Sequence, residues 1–242
     1  PLRMSTSEYQ SALLACSGVS NFGGAPTVAF FAAQGWQQPD ELDQVKARVG
    51  YYAGMVPKIP GAYVRLMDGA QVRIGDRVWQ CISGFGHSPE HMALHDAENQ
   101  LLISGDMLLP SISTNISVYA MEPDSNPLQW FLDSLGKMAH LPDATLVLPS
   151  HGRPFRGAAT RVAQLAAHHA DRLAELLAAC RAQARCAHEL MPVLFKRPLD
   201  VHQTTFAMDE AVAHLNLLWL SDQMRRERGA DGVIRFSTNV GQ

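Results

Sequence analysis

Three short stretches constrain this chain more than anything else in it: Gly86-His87-Ser88-Pro89-Glu90-His91, Ser104-Gly105-Asp106 and Pro149-Ser150-His151-Gly152. Each sets a side chain able to ligate a metal on a loop directly after an apolar, strand-like run, with a glycine nearby. Loops anchored this way hold their side chains rigidly. Neutral imidazole and carboxylate are ligands suited to a borderline cation such as zinc. A carboxylate such as Asp106 can bridge two cations, and a two-metal site acidifies a bound water and clamps both attacking and leaving oxygens in a hydrolysis. Separated His and Asp residues often arise by chance. The repetition of the same strand, loop and glycine context is what carries the metal reading.

The stretches sit in a pattern that changes along the chain. Pro1 to Met4 reads as a strand and Ser5 to Ala15 as a helix opened by a Ser/Thr cap ahead of Glu8. Gly18 to Pro26 reads as loop, Thr27 to Gln34 as a short helix, and Pro39 to Gly54 as one helix with acids in its first turn. Tyr51 and Tyr52 at its end read as core or rim aromatics, with substrate contact the lesser option. From Ala62 onward, Tyr63 to Met67, Gln71 to Ile74 and Val78 to Ser83 alternate with Asp-Gly and Gly-Asp turns, which predicts antiparallel hairpins. His91 to His95, Leu101 to Ser104 and Thr145 to Leu148 are further strands, with a helix over Pro127 to His140. His95 is read as exposed.

Past Gly157 the composition turns helical: Ala158 to Ala187, His188 to Phe195 and about Thr204 to Arg226, then two short strands around Ala230-Asp231-Gly232. This predicts a division into residues 1–157 and 158–242, the second a small helical, winged-helix-like domain. His168 and His169 are assigned to a solvated helix face. That tail carries ten Lys and Arg against nine Asp and Glu, so it lacks the basic stripe of a nucleic-acid binder.

Bulk properties exclude other classes. With 47% hydrophobic and 18% charged residues and a net charge of −3, the chain reads as globular, without a general pull toward polyanions. No run is long enough to span a bilayer, so no membrane partner is expected. Four cysteines without CxxC spacing read as reduced core thiols, which points to a cytoplasmic protein.

On these motifs the sequence resembles the metallo-β-lactamase-fold hydrolases. Gly-His-Ser-Pro-Glu-His looks like the family's third metal motif, Ser-Gly-Asp-Met like its bridging-aspartate motif, and Pro-Ser-His-Gly like its last histidine motif. The tail, including Ala213-His214-Leu215-Asn216, is similar to that of a bacterial branch and of a related endoribonuclease branch. The resemblance implies an αββα sandwich, in class α/β (α+β), with His87, Asp106 and His151 as metal ligands and Asp106 as catalytic residue. His91 would stand behind the ligands as a supporting histidine. Zinc is the implied metal, with manganese or iron as alternatives.

The family's leading HxHxDH motif is absent, and no histidine precedes His87. The chain therefore reads as N-terminally truncated, beginning after that motif, with most of one sheet missing and apolar faces exposed. A homodimer or a retained N-terminal fragment would cover them. The parent is expected to hydrolyse a small ester, thioester or lactam through a metal-bound hydroxide, with this chain alone inactive and its metal weak or absent. The alternatives are an endoribonuclease-like phosphodiesterase and a non-catalytic binding protein that keeps the scaffold.

Overall fold

The computed structural model describes residues 1–17, 23–56 and 58–239. The loop expected from Gly18 lies, over residues 18–22, outside the described residues. The fold is mixed α/β and divides into two compact units. The first comprises Pro1–Leu13, Lys58–Ile116 and Gln129–His168, and the second comprises Leu14–Pro57, Ser117–Leu128 and His169–Gln242. This grouping is not contiguous in sequence, unlike a division at residues 157 and 158.

The first unit holds two sheets. β1 (Leu2–Met4) pairs in parallel with β2 (Tyr63–Arg65), and the Tyr9 ring of α1 (Thr6–Ser17) stacks on Tyr63 at 4.0 Å. The second sheet has the order β3 (Gln71–Ile74), β4 (Arg77–Gly84), β5 (His91–Asp96), β6 (Leu101–Gly105), β7 (Leu146–Pro149). β3 to β6 pair antiparallel in succession, as the hairpin turns predict, with Gly75-Asp76 as a two-residue connection. β6 and β7 are parallel, joined through a long crossover that includes α5 (Pro127–Gly136). One sequence expectation fails here. β2 does not form a hairpin with β3, because Leu66 N–H is taken by Met4 O (2.9 Å), and Asp68 turns its carboxylate to Ser83 N–H (2.7 Å).

Strand register sorts the larger sheet into two faces. Ala93, His95, Leu102, Ser104 and Val147 share one face and are all buried. His95, expected at the surface, is thus a core residue. Leu94, Ile103 and Leu148 line the opposite face with Leu101 and Leu146, and none of them is buried. Its β3–β4 end is covered, where Leu66 packs with Val72 and Cys81 and touches Met92 and Leu94, and Asp96, opposite Leu101, is buried on the same face.

The second unit is helical: α2 (Gly24–Ala33), α3 (Pro39–Ala47), α4 (Tyr51–Met55), the later turns of α6 (Ala158–Ala179), α7 (Ala187–Leu194) and α8 (Val201–Leu220). A hairpin of β8 (Met224–Arg228) and β9 (Ile234–Thr238) follows. The single helix expected over Pro39–Gly54 is two, because Gly50 takes a left-handed φ of 70° and re-aims the chain. Tyr51 then stands exposed beside the Arg48 guanidinium, 5.4 Å from its ring centre. α8 is capped by Asp200, whose carboxylate accepts from Gln203 N–H at 2.7 Å. All four cysteines are unpaired. Among the described residues, no helix is long and apolar enough to cross a membrane.

Candidate metal site

Topology gathers the three loops. β6 and β7 run parallel, so both deliver their C-terminal ends to one edge of the sheet; β4 ends and β5 begins at that same edge. Asp106 follows β6 directly, His151 comes two residues after β7, and His87 lies in the β4–β5 loop. Ser150 N–H donates to Gly105 O (3.1 Å), which carries the β6–β7 pairing up to the ligand positions.

The donor atoms converge on the carboxylate. Asp106 Oδ2 lies 3.5 Å from His87 Nε2, and Oδ1 lies 3.4 Å from His151 Nε2. Each imidazole therefore faces its own oxygen. His87 Nδ1 sits 2.8 Å from Asn115 O; a carbonyl only accepts, so Nδ1 carries the proton and Nε2 presents a lone pair. Asp106 Oδ1 is buried and has no hydrogen-bond partner.

The donor set can be tested against a metal. Ligand atoms at about 2.0–2.2 Å from one tetrahedral ion lie about 3.3–3.6 Å from each other. Both pairs meet that spacing, and an orphaned carboxylate oxygen is what a bridging ligand leaves behind. The residues fit a pair of cations, which His87, His151 and Asp106 would hold between them. Each cation would then have two of these side chains against the usual four ligands. Correspondingly, among the described residues no group of three His, Cys, Asp or Glu side chains converges on one point.

His91 supports this arrangement without reaching it. Its Nε2–H donates to Ser104 O (3.0 Å), and burial pushes its pKa down, so it stays neutral. Its ring lies against Gly105, where φ is +54° and an added Cβ would come within 2.3 Å of the imidazole. Only glycine lets β6 turn into Asp106 beneath that ring.

Sequence reasoning missed the tethers of this site. Glu90 is gripped from the start of α1: Ser5 Oγ donates to its carbonyl (2.8 Å), Ser7 Oγ to its carboxylate (2.8 Å), and its N–H donates to Glu8 Oε1 (3.1 Å). The only visible signal was the Ser5-x-x-Glu8 cap. Thr114 Oγ1 donates to Asp106 O, and Gly152 packs so closely on Pro110 that a Cβ would lie 2.6 Å from its Cγ. Backbone carbonyls such as Asn115 O have no signature in a sequence.

The other histidines form no part of this cluster. His169, assigned to a solvated face, is fully buried: it meets His214 at 3.1 Å, Nδ1 to Nε2, while His214 Nδ1–H donates to Glu210 O (2.8 Å). Its neighbour His168 is exposed. Asn216 donates to Pro123 O and Ser125 O (3.0 and 2.9 Å), a packing role.

Known proteins resemble this chain over most of its length. A family profile described as "Metallo-beta-lactamase superfamily" matches residues 23–151, and another, "Metallo-beta-lactamase-like, C-terminal domain", matches residues 173–239. A solved beta-lactamase domain protein from Burkholderia ambifaria is 47% identical with a TM-score of 0.91, over 98% of this chain and 66% of that one. A metallo-beta-lactamase family protein from Thermus thermophilus shows 26% identity and a TM-score of 0.77, over 98% and 71%. A Bacillus subtilis (strain 168) protein named "Probable metallo-hydrolase YqjP" is 24% identical over 143 residues, 58% of this chain and 44% of that protein.

Proposed function

Because this chain belongs to the metallo-beta-lactamase superfamily, we propose that it supplies one wall of a two-metal hydrolytic site acting on a small ester, thioester or lactam. The observation that carries this reading is the Asp106 carboxylate with a separate imidazole opposite each oxygen. Divalent cations bound there, zinc first and manganese or iron as alternatives, would polarise the scissile carbonyl and acidify a water. His87 and His151 would hold the cations, with the Asp106 carboxylate between the two imidazoles to balance their charge. The Asn115 carbonyl fixes the His87 ring, and His91 fixes the turn into Asp106. His151 is the most open of the three, with 68% of its side chain exposed, so substrate enters on its side.

Two ligands per cation make a weak cage, so these residues alone bind metal weakly and turn nothing over. The open face of Leu94, Leu101, Ile103, Leu146 and Leu148 supports the same incompleteness: it is the surface on which a further layer packs, from a retained N-terminal fragment or a second copy. The chain spans 66% of the Burkholderia relative and 44% of the Bacillus one. A near-neutral C-terminal region, without a basic stripe, favours a small substrate over RNA.

The test combines metal analysis with a hydrolysis panel of p-nitrophenyl esters, thioesters, a chromogenic lactam and a phosphodiester. The expected result is weak Mn²⁺ or Zn²⁺ binding, abolished in Asp106→Asn, with no turnover until a covering polypeptide is supplied. Tight stoichiometric zinc in this chain alone would overturn the two-ligand reading, and binding unchanged in Asp106→Asn would overturn the site.

A further inference from the structure

One irregular segment, Asp106 to Asn115, organises all three ligand candidates. Asp106 begins it, Asn115 O fixes the His87 tautomer at its end, and Pro110 in its middle is the surface on which the Gly152 turn beside His151 rests. Thr114 closes the segment onto its own start through Asp106 O. The segment belongs to neither a helix nor a strand beyond Gly105, so its shape depends on side chains from elsewhere.

The main external tether within the first unit is Arg161 on α6. Its Nε–H donates to Leu109 O at 2.7 Å and its Nη2–H to Ile112 O at 3.0 Å, while Nη1 reaches Gln164 Oε1 at 3.2 Å. The two carbonyls bracket Pro110, so one guanidinium sets the curvature of the segment just where the Gly152 turn packs. A rigid planar fork can hold two carbonyls at once, whereas an ammonium on a flexible stem holds them without fixing their relative angle.

We propose that Arg161 is a positioning residue for the metal site. It touches no ligand atom and acts through the Leu109–Ile112 backbone on Asp106, on the Asn115 carbonyl that holds His87, and on the platform for the His151 loop. Its functional meaning rests on the two-metal reading above, but the geometry it imposes can be read without any metal.

The experiment uses the full chain with Arg161→Ala and Arg161→Lys, checked by circular dichroism for fold. Long-range ¹H–¹⁵N spectra, at a pH where imidazole is neutral, report the His87 tautomer, and Mn²⁺ titration followed by electron paramagnetic resonance reports affinity. The wild type is expected to show His87 protonated at Nδ1 alone. Arg161→Ala should show both tautomers and bind Mn²⁺ about 10- to 100-fold more weakly, with Arg161→Lys between the two. An Arg161→Ala protein with an unchanged tautomer and an affinity within about twofold of wild type overturns the proposal. Should Arg161→Ala fail to fold, Arg161→Lys decides, and wild-type values in both readouts overturn it. A wild type that binds no Mn²⁺ or Zn²⁺ defeats the two-metal reading, and the tautomer then judges Arg161 by itself.

Discussion

Two sets of residues on opposite faces of the β5–β7 part of the sheet have fates opposite to their compositions. Ala93, His95, Leu102, Ser104 and Val147 include two polar side chains, yet they are sealed. Leu94, Leu101, Ile103, Leu146 and Leu148 are uniformly apolar, yet water reaches all five, and Ile103 in mid-sheet keeps 39% of its surface. Burial here follows what packs on a face, not how greasy the face is. An apolar surface left open at the centre of a sheet is one on which another layer can pack. The edge that carries His87, Asp106 and His151 lies at the end of these same strands.

Adjacent residues of β6 give the sharpest way to break the comparison. Leu102→Ala, on the sealed face, should cost about 2–5 kcal/mol, by transfer and by the cavity left behind. Ile103→Ala, on the open face, should cost less than about 1 kcal/mol in the same urea titration. Equal costs would mean that the open face is covered in solution. A covering polypeptide should raise the Ile103→Ala cost while leaving that of Leu102→Ala in place.

The second unit poses the converse case, in which a charge rather than an apolar surface is in the wrong medium. Burial pushes the Glu210 carboxyl up to about 7, against the opposing pull of Arg172. A raised carboxyl pKa means that the native state holds its proton longer than the unfolded chain does. Glu210 therefore does not penalise stability below its ordinary value of 4.5, and stability falls as pH rises through about 7. Glu210→Gln should remove this loss, gaining about 1–3 kcal/mol at about pH 8 and little at about pH 4. Thermal unfolding across that range would show the two curves meeting at the acid end. Parallel curves would contradict the assignment.

A smaller effect is expected where α1 holds the β4–β5 loop rather than either face of the sheet. Glu90→Ala removes the Ser7 hydrogen bond, and with it part of the grip of α1 on the β4–β5 loop. The loss should be about 0.5–1.5 kcal/mol, and Glu90→Gln, which retains an acceptor, should restore most of it. Hydrogen exchange at residues 86–91 checks this, because faster exchange confined to that loop and the start of α1 is the outcome that ties them together.

Much of the candidate site was legible in the sequence because side chains able to ligate a metal can be read from residue type. His87, Asp106 and His151 each follow an apolar run and lie close to a glycine, and both signals are local. His91 could be placed behind them for the same reason. Arg161, Thr114 and the Asn115 carbonyl were not legible, since an arginine on a helix or a backbone oxygen looks the same whether or not a loop rests on it. His169 misled because helical periodicity says which residues share a face, but not whether another helix covers that face. The break between α3 and α4 turned on a single glycine φ, and β2 was found as a strand but given the wrong partner because a turn signal after a strand does not reveal which strand it pairs with.

The sequence alone determined the kind of chemistry, the strand-and-loop grammar that presents it, and a C-terminal succession of helices closed by a hairpin, because residue type and short-range periodicity encode them. Only the tertiary structure decided that one carboxylate faces two imidazoles through different oxygens, which histidines lie in the core, and which side of the sheet stays open. Those outcomes depend on contacts between segments scores of residues apart, and no local pattern carries that information.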